Sequence, residues 1–111
     1  MRFKIFVLWL ASIVATSAWA ECVPPENVSV PDGSQATEDE MSAGQELIRE
    51  FMTANGSYRN CLDEEFAALG DEVTDEQKAS NTQLYNSSVD REQQIVELYN
   101  SEVRAFNKAN P

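Results

Sequence analysis

Two cysteines carry the most definite chemistry in this chain of 111 residues. Cys22 and Cys61 are its only cysteines, and the first lies directly behind a candidate export signal. Two cysteines in an exported chain are expected to be oxidised. The loop between them would hold about 40 residues, and closing it would stabilise the fold by up to about 4 kcal/mol. We therefore predict a structural disulfide between Cys22 and Cys61.

A redox or metal-binding role for the thiols is the alternative. Their separation is far from a Cys-x-x-Cys spacing, and the chain contains no histidine to complete a metal site. The missing histidine also removes the commonest general base and excludes Ser-His-Asp and Cys-His sites within one chain. No Gly-rich phosphate loop is present. We predict no catalytic residue, no cofactor, no metal ligand and no enzymatic activity.

Carboxylates are the remaining groups with chemical potential. Two acidic groups flank the middle of the chain: Asp63, Glu64 and Glu65, then Asp71, Glu72, Asp75 and Glu76. Oxygen ligands of this kind suit calcium, although no stretch has the spacing of the twelve-residue calcium loop. Paired carboxylates also serve glycosidases, but a small helical hairpin has little room for a sugar cleft. A solvated acidic end is the expectation, and an acidic periplasmic module that binds divalent cations (calcium) is the alternative.

The N-terminus has the pattern of a cleaved secretory signal. Arg2 and Lys4 precede an apolar stretch from Ile5 to Ala15, and Ala18-Trp19-Ala20 offers small residues at a cleavage site. The apolar run is shorter than the roughly 20 residues of a membrane span, which disfavours an anchor. We predict a signal peptide at 1–20, cleavage after Ala20, a periplasmic or secreted location, and no membrane span afterwards.

The charge of the chain restricts its partners. The formal net charge is −11. Because Arg2 and Lys4 are the only charged residues before Glu21, cleavage would leave six basic and nineteen acidic residues, a charge of −13. Such a chain lacks the basic patches that bind nucleic acid or anionic membranes. The composition favours a soluble acidic protein.

The first mature segment, 21–36, reads as an extended arm that ends in a turn. Pro24, Pro25 and Pro31 fix their φ angles and lack N–H donors, so the segment cannot be a helix. Pro31-Asp32-Gly33 is typical of a tight turn.

Helix one is predicted over 37–69. Thr37 and Glu40 form a capping-box pattern, and Gly70 supplies a stop. The apolar residues recur at helical spacing: Met41, Ile48, Phe51, Tyr58, Leu62 and Leu69. Asn55-Gly56 could break the helix, but the apolar phase continues across it, which favours a single helix.

Helix two is predicted over 74–108, after a link at 70–73. Thr74 and Gln77 form a second capping box. The expected seam repeats nearly every seven residues, which is typical of a coiled coil. It consists of Tyr85, Val89, Val96, Tyr99, Val103 and Phe106, with Leu84, Ile95 and Leu98 beside it.

The fold class is therefore all-α: an antiparallel two-helix hairpin with long helices and an extended Pro-rich N-terminal arm tied to helix one by the disulfide. Residues 21–111 form one domain. The arm would run back along helix one, with Leu47 and Ala54 as its floor. Because two helices rarely bury broad apolar stripes alone, a homodimer or another periplasmic protein is the expected partner.

The mature half also resembles an uncharacterised family of small exported proteobacterial proteins. The matching residues are Cys22-Val23-Pro24-Pro25, Val30-Pro31-Asp32-Gly33, Ala36-Thr37, Glu40-Met41, Phe51, Tyr58 and Cys61-Leu62. The resemblance covers about 22–62 and implies a secreted, disulfide-tied helical protein. It brings no activity and no site residues.

These observations predict a non-enzymatic exported structural or protein-interaction module. The calcium module remains the alternative, and an inhibitor or adaptor that presents the proline arm is compatible with the same pattern.

Overall fold

The computed structural model describes residues 21–111 as two long helices preceded by an irregular arm. Helix α1 spans Glu38–Ala68, a 3-10 turn spans Gly70–Glu72, and helix α2 spans Asp75–Ala109. The predicted fold class is confirmed: the helices form an antiparallel hairpin, and no strand occurs within 21–111. The predicted signal peptide at 1–20 lies outside the described residues. Within the described range, neither helix is apolar over enough of its length to cross a membrane.

Both helices begin with the predicted capping boxes. The Thr37 hydroxyl accepts from the Glu40 N–H at 3.2 Å, and the Thr37 N–H donates to the Glu40 carboxylate at 2.9 Å. Thr74 and Gln77 repeat the pair of bonds at 3.1 and 2.9 Å. Each box satisfies amides that the first helical turn leaves without partners. Gly70 follows α1 at φ 64°, a left-handed conformation that suits glycine and ends the helix.

The buried row of α1 advances in alternating steps of three and four residues, which keeps it on one face. Its members are Met41, Gly44, Ile48, Phe51, Asn55, Tyr58 and Leu62. The helix continues unbroken through Asn55-Gly56, as the apolar phase predicts. Gly44 and Asn55 were not expected in the row, because neither has an apolar side chain that a periodicity pattern detects.

Helix α2 meets α1 through a row that shares Tyr85, Tyr99 and Phe106 with the predicted seam, whereas the valines of the seam lie beside this row. Within α2, all of which is described, Ser88 is the one buried residue. Val89, Val96 and Val103 are half-buried on one flank of the contact. The contact row is marked by the buried and half-buried residues at helical spacing on this side of α2: Asn81, Tyr85, Ser88, Glu92, Ile95, Tyr99, Glu102 and Phe106. Half of these residues are polar, and an apolar pattern cannot locate that half.

The arm lies in one of the two grooves between the helices. It starts at the disulfide on α1, and Pro31 near its other end packs against Gly44. The predicted turn is present: the Asp32 carbonyl accepts from the N–H groups of Gln35 and Ala36 at 3.1 and 2.8 Å. The expected floor was wrong. Leu47 remains 48% exposed and Ala54 is exposed, because the arm sits deeper, between the helices.

Candidate functional site

The disulfide joins the start of the arm to the flank of α1. The Cα atoms of Cys22 and Cys61 lie 5.7 Å apart, within the normal range for a disulfide. Glu65, one turn further along α1, accepts the Cys22 N–H at 3.2 Å. Within residues 21–111, Cys22, Cys61 and Glu65 are the one close grouping of potential metal-ligand types. The two sulfurs are bonded to each other and offer no thiolate, so this grouping is a covalent anchor.

Arg91 of α2 holds the middle of the arm. Its Nη2 donates to the Pro25 carbonyl oxygen at 2.5 Å, and its Nε donates to the Asn27 side-chain oxygen at 2.7 Å. The guanidinium also lies 5.0 Å from the centre of the Phe51 ring on α1. This geometry matches a cation–π contact. One side chain therefore ties the arm, α2 and α1 together.

Gly33 brings the turn of the arm into backbone contact with α2. Its N–H donates to the Glu102 carboxylate at 2.7 Å. A Cβ placed on Gly33 would overlap the backbone carbonyl of Glu102. Gly44 allows a similar approach on α1, where an added Cβ would lie 2.7 Å from the Pro31 ring. Two glycines thus set how closely the arm can approach each helix.

Polar side chains fix the register between the helices. The Asn55 amide donates to the Ser88 carbonyl oxygen at 2.9 Å, and the Ser88 hydroxyl donates to the Asn55 side-chain oxygen at 2.8 Å. Arg59 lies 3.5 Å from Glu92. Every buried side-chain nitrogen or oxygen of the described residues has a hydrogen-bond partner. Such bonds are satisfied in one alignment of the helices only.

Beyond the disulfide, the arm's groove continues towards the hairpin turn as an open apolar cavity of about 270 Å³. Leu69 and Leu84, two of its lining residues, are 39% and 45% exposed. Its ionisable lining residue is Glu65, which already accepts from Cys22. The cavity therefore presents apolar surface with a single carboxylate at its edge.

The carboxylates of the hairpin end are exposed and separate. All seven acidic residues of the two groups are exposed, and Glu65 in addition accepts the Cys22 N–H. Among the described residues, no three of these carboxylates bring oxygens within 4.8 Å of one another. A calcium cage needs six to eight converging oxygens. The structure places both acidic groups at one end of the hairpin without converging their carboxylates.

The groove on the other side of the helix contact has a different character. On a helix, Val96 lies about 140° around from Arg91, so Val89, Val96 and Val103 flank the contact on the side away from the arm. All three are half-buried. The next column outward on α2 holds Asn86, Gln93, Asn100 and Asn107, which are uncharged amides. We call these two columns the valine face.

The valine face carries no acidic residue, although nineteen acids are spread over the chain. Charged residues border the face on both sides: Glu92 lies in the contact row with its charge compensated by Arg59, and Glu97 and Arg104 lie one column beyond the amides. On the facing side of α1, Met52 is 41% exposed. The heptad spacing predicted these valines in the seam between the helices, and in the structure they lie half-buried at the edge of that seam.

Compared with protein-family profiles, curated proteins and solved structures, the chain matches none of them.

Proposed function

We propose that the chain is a non-enzymatic protein-interaction module that acts outside the cytoplasm, in the periplasm or after secretion. The valine face carries this proposal. A surface that is apolar at its centre, polar at its rim and free of net charge is typical of a protein interface. The rest of the molecule is strongly acidic and well solvated, so this face differs from its surroundings.

The arm supports the same function by keeping the face rigid. The disulfide, Arg91 and the Gly33–Glu102 contact fill one groove, and the Asn55–Ser88 pair fixes the alignment of the helices. An interface that is ordered before binding loses little conformational entropy on association. The oxidising compartment implied by the disulfide is consistent with an exported protein.

Site-specific photo-crosslinking tests the proposal. A photoreactive amino acid at Val96 should give discrete adducts when the full chain is expressed with its export signal. The matched control is the same amino acid at Gln83, which is exposed on α2 outside the valine face. Adducts at both positions in equal yield, or at neither, would contradict a specific interface on this face.

A further inference from the structure

We propose that the occupant of the valine face is a second copy of this chain, with the two α2 helices antiparallel across a two-fold axis at Val96. The proposal rests on the interaction function above and names the partner. It is carried by the spacing of the face, by its hydrogen-bonding groups and by its charge.

The spacing is self-complementary. Val89 and Val103 lie seven residues on either side of Val96. In an antiparallel pair centred on Val96, Val89 of one copy therefore meets Val103 of the second copy, and Val96 meets Val96. A two-fold interface uses the same patch on both subunits, and a column symmetric about its middle satisfies that condition. The column spans about 21 Å of helix, three turns or more.

The amide column follows the same symmetry. With Val96 on the axis, Gln93 lies beside Asn100 of the second copy, and Asn86 lies beside Asn107 of the second copy. A side-chain amide both donates and accepts hydrogen bonds, so it can pair with another amide without an added group. These residues would supply the polar rim of the dimer on the solvent side of the valines.

Charge selects a second copy over a basic partner. Two copies each carrying −13 repel one another, so contact between them is least unfavourable through a surface without acids. The solvent side of α1 does not qualify, because it presents Glu46, Glu50 and Glu64. A cationic partner would instead be drawn to those acids, since electrostatic complementarity guides association. The uncharged valine face is the surface that tolerates an identical, acidic neighbour.

Sedimentation equilibrium of the oxidised mature protein tests the proposal, with Val96→Glu compared against Gln83→Glu. Both variants add one negative charge to α2. We expect wild type and Gln83→Glu to dimerise alike, and Val96→Glu to dimerise at least about a hundredfold more weakly, because it buries two facing carboxylates. Gln93→Glu, at an exposed position that the fold does not require, should weaken the dimer about tenfold in the same direction.

Three results would overturn the proposal. A wild-type protein that stays monomeric at millimolar concentration excludes a second copy as the occupant of the valine face. In that case, discrete adducts from Val96 to a different protein would still support the interaction function. Equal dimerisation of Val96→Glu and Gln83→Glu would place the dimer elsewhere. A crosslink joining position 89 to position 89 of the second copy, in place of position 103, would exclude the antiparallel arrangement.

Discussion

Asn55 is a polar residue at the centre of the α1 contact row, with 0% of its surface exposed. Both ends of its side chain are bonded to Ser88, so it is buried without an unsatisfied group. A leucine here would add apolar contact but would fit several alignments of the two helices. The asparagine fits one, as single buried asparagines do in coiled coils. At this position, specificity of alignment is obtained at a cost in hydrophobic burial.

Alanine substitutions at the two glycines within α1 should have opposite effects on stability. A Cβ on Gly44 would lie 2.7 and 2.8 Å from the Pro31 ring, so Gly44→Ala must displace the arm. We expect it to lower the free energy of unfolding by about 1–3 kcal/mol. Gly56 is the matched control, because its added Cβ would meet only the Arg59 guanidinium at 4.0 Å. Gly56→Ala should raise stability by about 0.5–1 kcal/mol through helix propensity.

Chemical denaturation of the two alanine variants, read by far-UV circular dichroism, measures both effects. Equal changes in the two variants would mean that the arm does not pack against Gly44.

The arm covers one groove of the helix pair, a position that a third helix would occupy in a three-helix bundle. It has no regular hydrogen-bonded structure of its own, and its order comes from the groups that hold it at three points. Cys22 is bonded to Cys61, the Pro25 carbonyl is held by Arg91, and Gly33 lies against α2. A two-helix hairpin of this size has a thin core, so covering one groove removes much apolar surface from water.

Removing the disulfide should destabilise the whole domain. The bond closes a loop with a sequence separation of 39 residues. We expect Cys22→Ser combined with Cys61→Ser to lower the free energy of unfolding by up to about 4 kcal/mol, because the unfolded chain regains that loop entropy. Urea unfolding monitored by circular dichroism gives the value.

Reductant supplies the control for the disulfide prediction. It should shift the wild-type midpoint to that of the double variant and leave the double variant unchanged. Free thiols in the purified native protein, or a double variant as stable as wild type, would show that the bond does not hold the arm.

Local patterns in the sequence are sufficient to predict the helices and the turn, but not how these elements pack together. The capping boxes at Thr37 and Thr74 depend on neighbours three residues apart, and both are found in the structure. The Cys22–Cys61 pairing follows from there being two cysteines. The position of the arm does not, because it depends on Gly44 and Arg91, whose roles exist only once three segments meet. The aromatic members of the contact row of α2 were predicted, but its polar members were not, for the same reason: Ser88 and Glu92 are placed there by their partners on α1.

Repulsion among the acids acts over the whole molecule. Residues 21–111 contain six basic and nineteen acidic residues, a net charge of −13, so the folded chain and any dimer are opposed by their own field. Salt weakens that field, since the screening length falls from about 30 Å at 0.01 M to about 3 Å at 1 M. We expect the thermal midpoint to rise steadily over this range of salt concentration. The protein concentration must be the same in every measurement, because association also shifts the midpoint.

Calcium should act on this protein as an ordinary counterion. The carboxylates of the hairpin end are exposed and do not converge, so no described group of them forms a calcium cage. At constant ionic strength, titration calorimetry with calcium should give no saturating heat, and amides at Asp71, Glu72, Asp75 and Glu76 should leave the trace unchanged. A saturable heat that these substitutions abolish would contradict the expectation and support the cation-binding alternative. The valine face carries none of these acids. If calcium acts only as a counterion, dimerisation should respond to calcium no more than to sodium at equal ionic strength.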